Sequence, residues 1–326
     1  MRNFLFAFVG ATIATVASLG SGLGDTPFPE RNLNMIIPYA SGGGFDIYAR
    51  AVATAMEKQL PSNIRIIPRN VPGAAAINGL TTLYRAPADG YTLGIVPLPG
   101  GVLPHLVGQK VAYDLDRITW LGLVNVSVYT LVVSRQSPFN SINDLVKSHP
   151  RTPFIATTGT SDHAMAQIVM KALGGSPKYL NTFRSAPEAL LAVLRGEADA
   201  AMAIGETVAR FIESGEMKQL IWFQERAAGS LVPQGVPTPD EIGHPDLANI
   251  GLYRMFAAPP GVESPVLSKL RGSLQASFKD PEFLAWSTKS GYPVSPGSAE
   301  EAMRLYEKQK NFLSNHVEIL KNAGAN

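Results

Sequence analysis

The chain has 326 residues, 45% of them hydrophobic and 17% charged, with a net charge of +2 and no cysteine. That length can bury a large core and exceeds one ordinary compact domain, so two domains are expected. A near-neutral balance without a concentrated basic patch argues against nucleic-acid binding. The lack of cysteine rules out disulfides, thiolate metal sites, cysteine nucleophiles and a lipid anchor on an N-terminal cysteine.

Arg2 is followed by the apolar run FLFAFVGATIATVASLG and then by the polar, turn-rich SGLGDTPFPE. This is the layout of a secretory signal peptide, expected over residues 1–24 with cleavage between Leu19 and Asp25. The run falls short of the roughly 20 apolar residues of a spanning helix. An exported protein is expected.

From Leu33 onward short apolar runs alternate with segments of helical period: LNMIIPY and then 47–60, IRIIP and then 75–84, YTLGIVP and then a Pro/Gly-rich loop. Strand and helix in alternation predict βαβ units on a largely parallel sheet. A long β-like segment, Trp120 to Ser134, follows, and the alternation restarts at PFIATT. In the next helix Met165, Ile168, Val169 and Ala172 form one stripe, stopped by Gly174. APEALLAVLRG reads as another helix, and ADAAMAI and KQLIWF as further strands. The run 248–261 is apolar and β-like again and is followed only by helices. One starts with Ser264 as N-cap and Pro265 after it. The last opens on a Ser298/Glu301 capping box and carries Leu305, Phe312, Val317 and Leu320 on its apolar side.

The chemistry-bearing feature is the stretch IIPYASGGGFDIYARAVATAM, in which three glycines join a strand to a helix. Bare backbone admits close approach of a ligand, and the free amides of the helix's first turn favour an anion. SGGGFD matches neither the dinucleotide fingerprint nor the phosphate loop. ATTGTSDHA, residues 156–164, repeats the arrangement in the second block. Two such helix tips facing across a cleft can orient a carboxylate without an arginine, each contributing about 0.3–1 kcal/mol, or up to about 2 when partly buried.

These two stretches, together with RNVPGAAAINGLTTLYRAPADGYTLGI, FRSAPEALLAVLRGEADAAMA and GLYRMFAAPPGVESPVLSKL, occur in an order that resembles the periplasmic solute receptors of tripartite tricarboxylate transporters, the Bug family. The resemblance covers essentially the whole mature chain. It implies an α/β, type II periplasmic-binding-protein fold, with residues 25–126 plus 252–326 as one domain, 127–251 as the other and two crossing strands between them. It implies a first ligand loop of Tyr39, Ala40, Ser41, Gly42, Gly43, Gly44 and Asp46, and a second of Thr158, Gly159, Thr160, Ser161, Asp162 and His163. A third runs from Pro97 to Val102. Phe45 stands where many relatives have a small residue, which implies a larger or more closed pocket. Where relatives often carry an acidic residue after GEAD this chain has Ala203, with Glu206 as the nearby substitute.

Each candidate has a plainer reading. Asp46 in a first helical turn is expected to cap and brace the loop rather than touch ligand. Ser161 suits an N-cap as well as a ligand contact. Ser161, Asp162 and His163 invite a hydrolase reading, but three consecutive residues entering one helix can hardly form a triad. The five histidines, His105, His149, His163, His244 and His316, show no metal-ligand spacing. Arg184 is either a cleft residue for a second carboxylate or a solvated loop charge. Tyr48, one turn into its helix, is expected in the core. The expectation is thus a monomeric periplasmic receptor, without cofactor, metal or nucleic acid, that binds a small carboxylate and docks on membrane permease subunits. The rivals are a periplasmic enzyme of the same bilobal build and a ligand-sensing module for a signalling partner.

Overall fold

The computed structural model describes residues 28–148, 151–226 and 232–323. The expected signal peptide with its cleavage region, and His149, lie outside the described residues.

The alternation read from the sequence is present. In the first block β1 (Leu33–Ile37), α1 (Gly44–Glu57), β2 (Ile66–Asn70), α2 (Ile77–Tyr84), β3 (Thr92–Leu98) and the short α3 (Leu103–Leu106) lead into β4 (Thr119–Ser134). After α4 (Ile142–Val146) come β5 (Phe154–Thr158), α5 (Gly159–Ala172), β6 (Lys178–Phe183), α6 (Ala186–Leu194), β7 (Ala200–Ile204), α7 (Gly205–Glu213) and β8 (Met217–Trp222). The chain then returns as β9 (Gly251–Ala258) and ends in α8 (Ser264–Ser277), α9 (Pro281–Ser290), α10 (Ala299–Asn315) and α11 (Val317–Ala323).

β1 pairs parallel with β2 and β3, and β9 lies antiparallel between β3 and β4. On the other side β5 runs parallel to β6 and β7, while β4 is antiparallel to both β7 and β8. β4 joins the two groups: Thr119 to Val128 pair with β9, and Tyr129 to Val133 pair with β7. Among the described residues four strand pairings are parallel and four antiparallel, so the sheet is mixed rather than the largely parallel one expected, because the two long strands β4 and β9 run against every neighbour they have. Met165, Ile168 and Val169 of the predicted α5 stripe are fully buried, and Gly174 ends the helix at φ +79°. Among the described residues no helix is long and apolar enough to cross a membrane.

Local boundaries differ in informative ways. The helix expected from 75 begins at Ile77, because Ala74, Ala75 and Ala76 all adopt positive φ in a tight turn. Glu263, not Ser264, is the N-cap of α8. The final helix is two: α10 does open on Ser298, whose hydroxyl accepts from the Glu301 amide at 3.2 Å, but the chain leaves helical geometry at His316 before Val317 and Leu320. His316 Nδ1 lies 2.8 Å from the Phe312 carbonyl oxygen there. β6 went unread because it is a mostly polar strand on one side of β5, with no apolar alternation to announce it.

Candidate functional site

The first loop owes its shape to Asp46. Gly42, at φ +85°, turns the chain in a conformation that glycine adopts without penalty. The buried Asp46 carboxylate then accepts from the Gly42 amide at 2.9 Å, Ser41 Oγ at 3.3 Å, Arg50 Nε at 2.8 Å and Asn70 Nδ2 at 2.8 Å. Burial works against its ionisation, but the bonds from Arg50, Gly42 and Asn70 outweigh it and hold its pKa down at about 2. Asp46 is the brace expected of it. Gly43, the N-cap of α1, supplies no side chain, so the first-turn amides stay uncapped. Tyr39 packs its ring on Phe45 at 4.8 Å between centroids, and burial pushes its hydroxyl's pKa well up. Tyr48 is in the core as expected, its hydroxyl donating to the Pro293 carbonyl at 2.5 Å.

In the second loop β5 runs into α5 without a break, so Thr158 occupies the N-cap position and Ser161 is the third helical residue. The expected Ser161 cap is therefore replaced by an inward turn of its neighbour. Asp162 accepts from Tyr129 Oη at 2.7 Å and from Thr158 Oγ1. Desolvation still raises the Asp162 pKa in spite of both bonds. His163 faces away, with Nδ1 3.1 Å from Thr157 Oγ1 and Nε2 2.9 Å from Gln167 Nε2. Burial lowers the His163 pKa. No bond joins Ser161, Asp162 and His163 to one another, and the arrangement of a triad is absent.

The third loop brings the other two together. Pro97 on β3 is in register with Arg254 on β9, and its carbonyl accepts from the Gly101 amide at 2.8 Å. A Cβ placed on Gly100 would lie 3.2 Å from Ser161 Oγ and 3.4 Å from Tyr39 Oη. One residue of each expected loop thus meets at a single point.

Beside this junction opens a cleft of about 630 Å3 whose wall includes Gly42, Gly43, Gly44 and Phe45 from the α1 tip and Glu206 and Thr207 from the α7 tip. Arg254 also lines it. Its Nη1 donates to Asn125 Oδ1 and to Ser127 Oγ at 2.5 Å each, and its Nη2 lies 3.6 Å from where a Gly44 Cβ would be. The guanidinium carbon stands 4.7 Å from the Tyr48 ring centre and 5.2 Å from that of Phe45. Ser127 Oγ donates onward to Glu206 Oε1 at 2.5 Å. Arg254 is 4% exposed, and desolvation lowers its pKa.

The expected residues therefore divide. Gly42 to Phe45 and Glu206 share the cleft, Tyr39, Ser161 and Gly100 share the junction, and Thr160 and His163 line a separate cavity of about 650 Å3 with Ala74, Ala75 and Gln167. Gly159 is exposed at φ +57° beside them. Arg184 is exposed, its main-chain N–H donating to Glu188 Oε2 at 2.8 Å, and the cleft wall takes Ser185 and Pro187 instead. Arg254 was missed: the sequence offers an amide-only seat, whereas the structure sets a guanidinium beside it. Its signal was a lone charge inside the apolar strand GLYRMFAA, with Asn125 and Ser127 as polar breaks in β4. Among the described residues no group of three His, Asp or Glu could hold a metal ion.

The family described as "Tripartite tricarboxylate transporter family receptor" matches residues 48–322. The chain belongs to this receptor family. Its members are solute-binding proteins, not enzymes. A "UPF0065 protein" of Bordetella pertussis is 27% identical over 92% of this chain and 93% of its own length. Among solved structures, a TctC solute-binding protein from Polaromonas superposes with TM-score 0.74 at 20% identity, covering 89% of this receptor and 99% of that chain. The periplasmic binding protein BugD superposes with TM-score 0.69 at 25% identity, over 91% and 99%. Two Rhodopseudomonas palustris proteins were solved with ligand: MatC with malate (TM-score 0.66, 22% identity, 90% and 98% covered) and Rpa4515 with adipate (TM-score 0.69, 18% identity, 91% and 98% covered). The receptor therefore has the periplasmic-binding-protein fold of this family.

Proposed function

We propose that the receptor captures a small carboxylate outside the cytoplasm, after export through a cleaved signal peptide, and presents it to the permease subunits of a tripartite transporter as a monomer. The observation that carries the reading is the uncapped tip of α1, lying against the same cleft as the tip of α7. Orphan amides and the positive helix end favour an anion there. The malate and adipate bound by the two R. palustris relatives fit the same ligand class.

In this reading residues 25–126 plus 252–326 and residues 127–251 are two lobes. They close about β4 and β9 near Asn125 and Gly251, ligand contacts to both lobes favouring the closed state. The first loop, Tyr39 to Phe45 with Asp46 as its brace, borders the ligand together with Glu206, the second loop joins it through Ser161, which meets Tyr39 at Gly100, and Pro97 underpins the third loop. Micromolar affinity needs about 8 kcal/mol net, within reach of helix ends, a few hydrogen bonds and apolar burial.

A thermal-shift screen over C4 to C6 dicarboxylates, tricarboxylates, aromatic acids and acidic amino acids, followed by calorimetry, tests this. The expected result is one acid bound per chain and recovered unchanged. A chain that binds no acid in the set, or converts one, overturns it.

A further inference from the structure

Arg254 and Glu206 each carry a buried polar atom that no described residue answers. Arg254 is 4% exposed, yet among the described residues no carboxylate lies within ion-pairing distance of it. Among the described residues its buried Nε has no hydrogen-bond partner, and neither has the buried Oε2 of Glu206. Buried charges are almost always paired, because taking an unpaired charge out of water costs several kcal/mol. Here the cost is compounded, since Nη2 of Arg254 points at the Gly44 end of α1, where the helix is itself positive. Tyr48 and Phe45 offset part of it through their ring faces, but neither supplies a counter-charge.

The two unanswered groups are neighbours. The Ser127 hydroxyl accepts from Arg254 Nη1 and donates to Glu206 Oε1, so a single hydroxyl spans the space between guanidinium and carboxyl. Both residues line the one cleft, Arg254 from β9 and Glu206 from the first turn of α7. What would satisfy this pair is an anion and a hydrogen-bond donor on adjoining atoms of one small molecule.

We propose that Arg254 and Glu206 read the ligand together: Arg254 with the α1 tip takes a carboxylate, and Glu206 Oε2 accepts from a hydroxyl or ammonium group on the neighbouring carbon. This rests on the carboxylate-receptor reading and narrows it to 2-hydroxy or 2-amino acids over their unsubstituted counterparts. Arg254 is the affinity residue and Glu206 the discriminating one. Removing one member of a buried charge-assisted pair typically costs about 30-fold or more in affinity.

Calorimetric titration of the mature protein with malate, aspartate and succinate, at fixed ionic strength, separates the outcomes. Malate or aspartate should bind at least 10-fold tighter than succinate, and which of the two wins identifies the donor. Arg254→Met should weaken every acid by about 30-fold or more, with Arg254→Lys between it and wild type. Glu206→Leu should bring the preferred acid to within about twofold of succinate, a change of ratio that general loosening of the fold does not produce. Succinate binding as tightly as both others, or a Glu206→Leu variant that keeps the ratio, overturns the proposal. Wild-type protein that takes none of these three but binds other acids also overturns it while leaving the receptor reading intact. Binding of no acid at all sinks both.

Discussion

Ser161 Oγ stands 3.2 Å from the point a Cβ on Gly100 would occupy, which leaves no slack between the third loop and the tip of α5. Tyr39 Oη, 3.4 Å from the same point, closes the contact from the first loop. Substitution at Gly100 therefore acts on three loops at once. Gly100→Ala should cost about 1 kcal/mol of stability as the neighbours shift and weaken carboxylate binding several-fold. Adding Ser161→Ala should return part of the stability by deleting the hydroxyl that the new methyl meets. Chemical denaturation of the two variants checks the first effect and calorimetry the second.

Asp46 makes the first loop acid-sensitive. Its folded-state pKa of about 2 lies below the ordinary value of 3.8. A depressed carboxylate contributes stability that is complete above the unfolded value and is lost as pH falls from near 4 through 2. The contribution is about 2 kcal/mol. Asp46→Asn should lose it at neutral pH, so that the stability gap to wild type narrows between pH 4 and 2. Urea titrations across that window would show a constant gap if the brace were unimportant.

Asp162 carries the opposite sign. Desolvation raises its pKa above 3.8, so the folded chain holds this proton more tightly than the unfolded one. Its burial therefore costs stability progressively as pH rises through the unfolded value toward the folded one. At low pH the protonated Asp162 carboxyl, like an amide, offers one acceptor and one donor toward Tyr129 and Thr158, so Asp162→Asn should be close to neutral there. Relative to wild type the variant should gain stability as pH rises toward 7, measurable as melting temperature against pH; a variant that loses ground with rising pH would contradict the assignment.

Gly205 admits no side chain. A Cβ there would fall 2.3 Å from Trp222 Cη2 and 2.8 Å from Cζ3. Gly205→Ala should destabilise by about 1–3 kcal/mol through overpacking and displace Glu206, the next residue of α7. The companion change Trp222→Phe, which retracts the ring, should recover most of the loss. Denaturation midpoints of the single and double variants test this, and simple additivity would rule it out.

The succession of strands and helices was readable because it depends on local period and punctuation. The apolar runs of β1, β3, β4 and β9, the α5 stripe and its stop at Gly174 are each written within a few consecutive residues. The GGG loop and the bracing role of Asp46 were readable for the same reason, since Asp46 reaches Gly42 and Arg50, each about one turn away along the chain. What the chain could not announce was which distant groups share a space. Arg254 meets the Gly44 tip and Glu206 only because β4 pairs with β9 at one end and β7 at the other. The sequence thus determined the elements and the anion-favouring loop, whereas only the tertiary structure decided that a buried guanidinium, without an ion pair among the described residues, stands beside it. Hydrophobic period and turn chemistry are local, but the burial of a charge is set by whatever the fold packs around it.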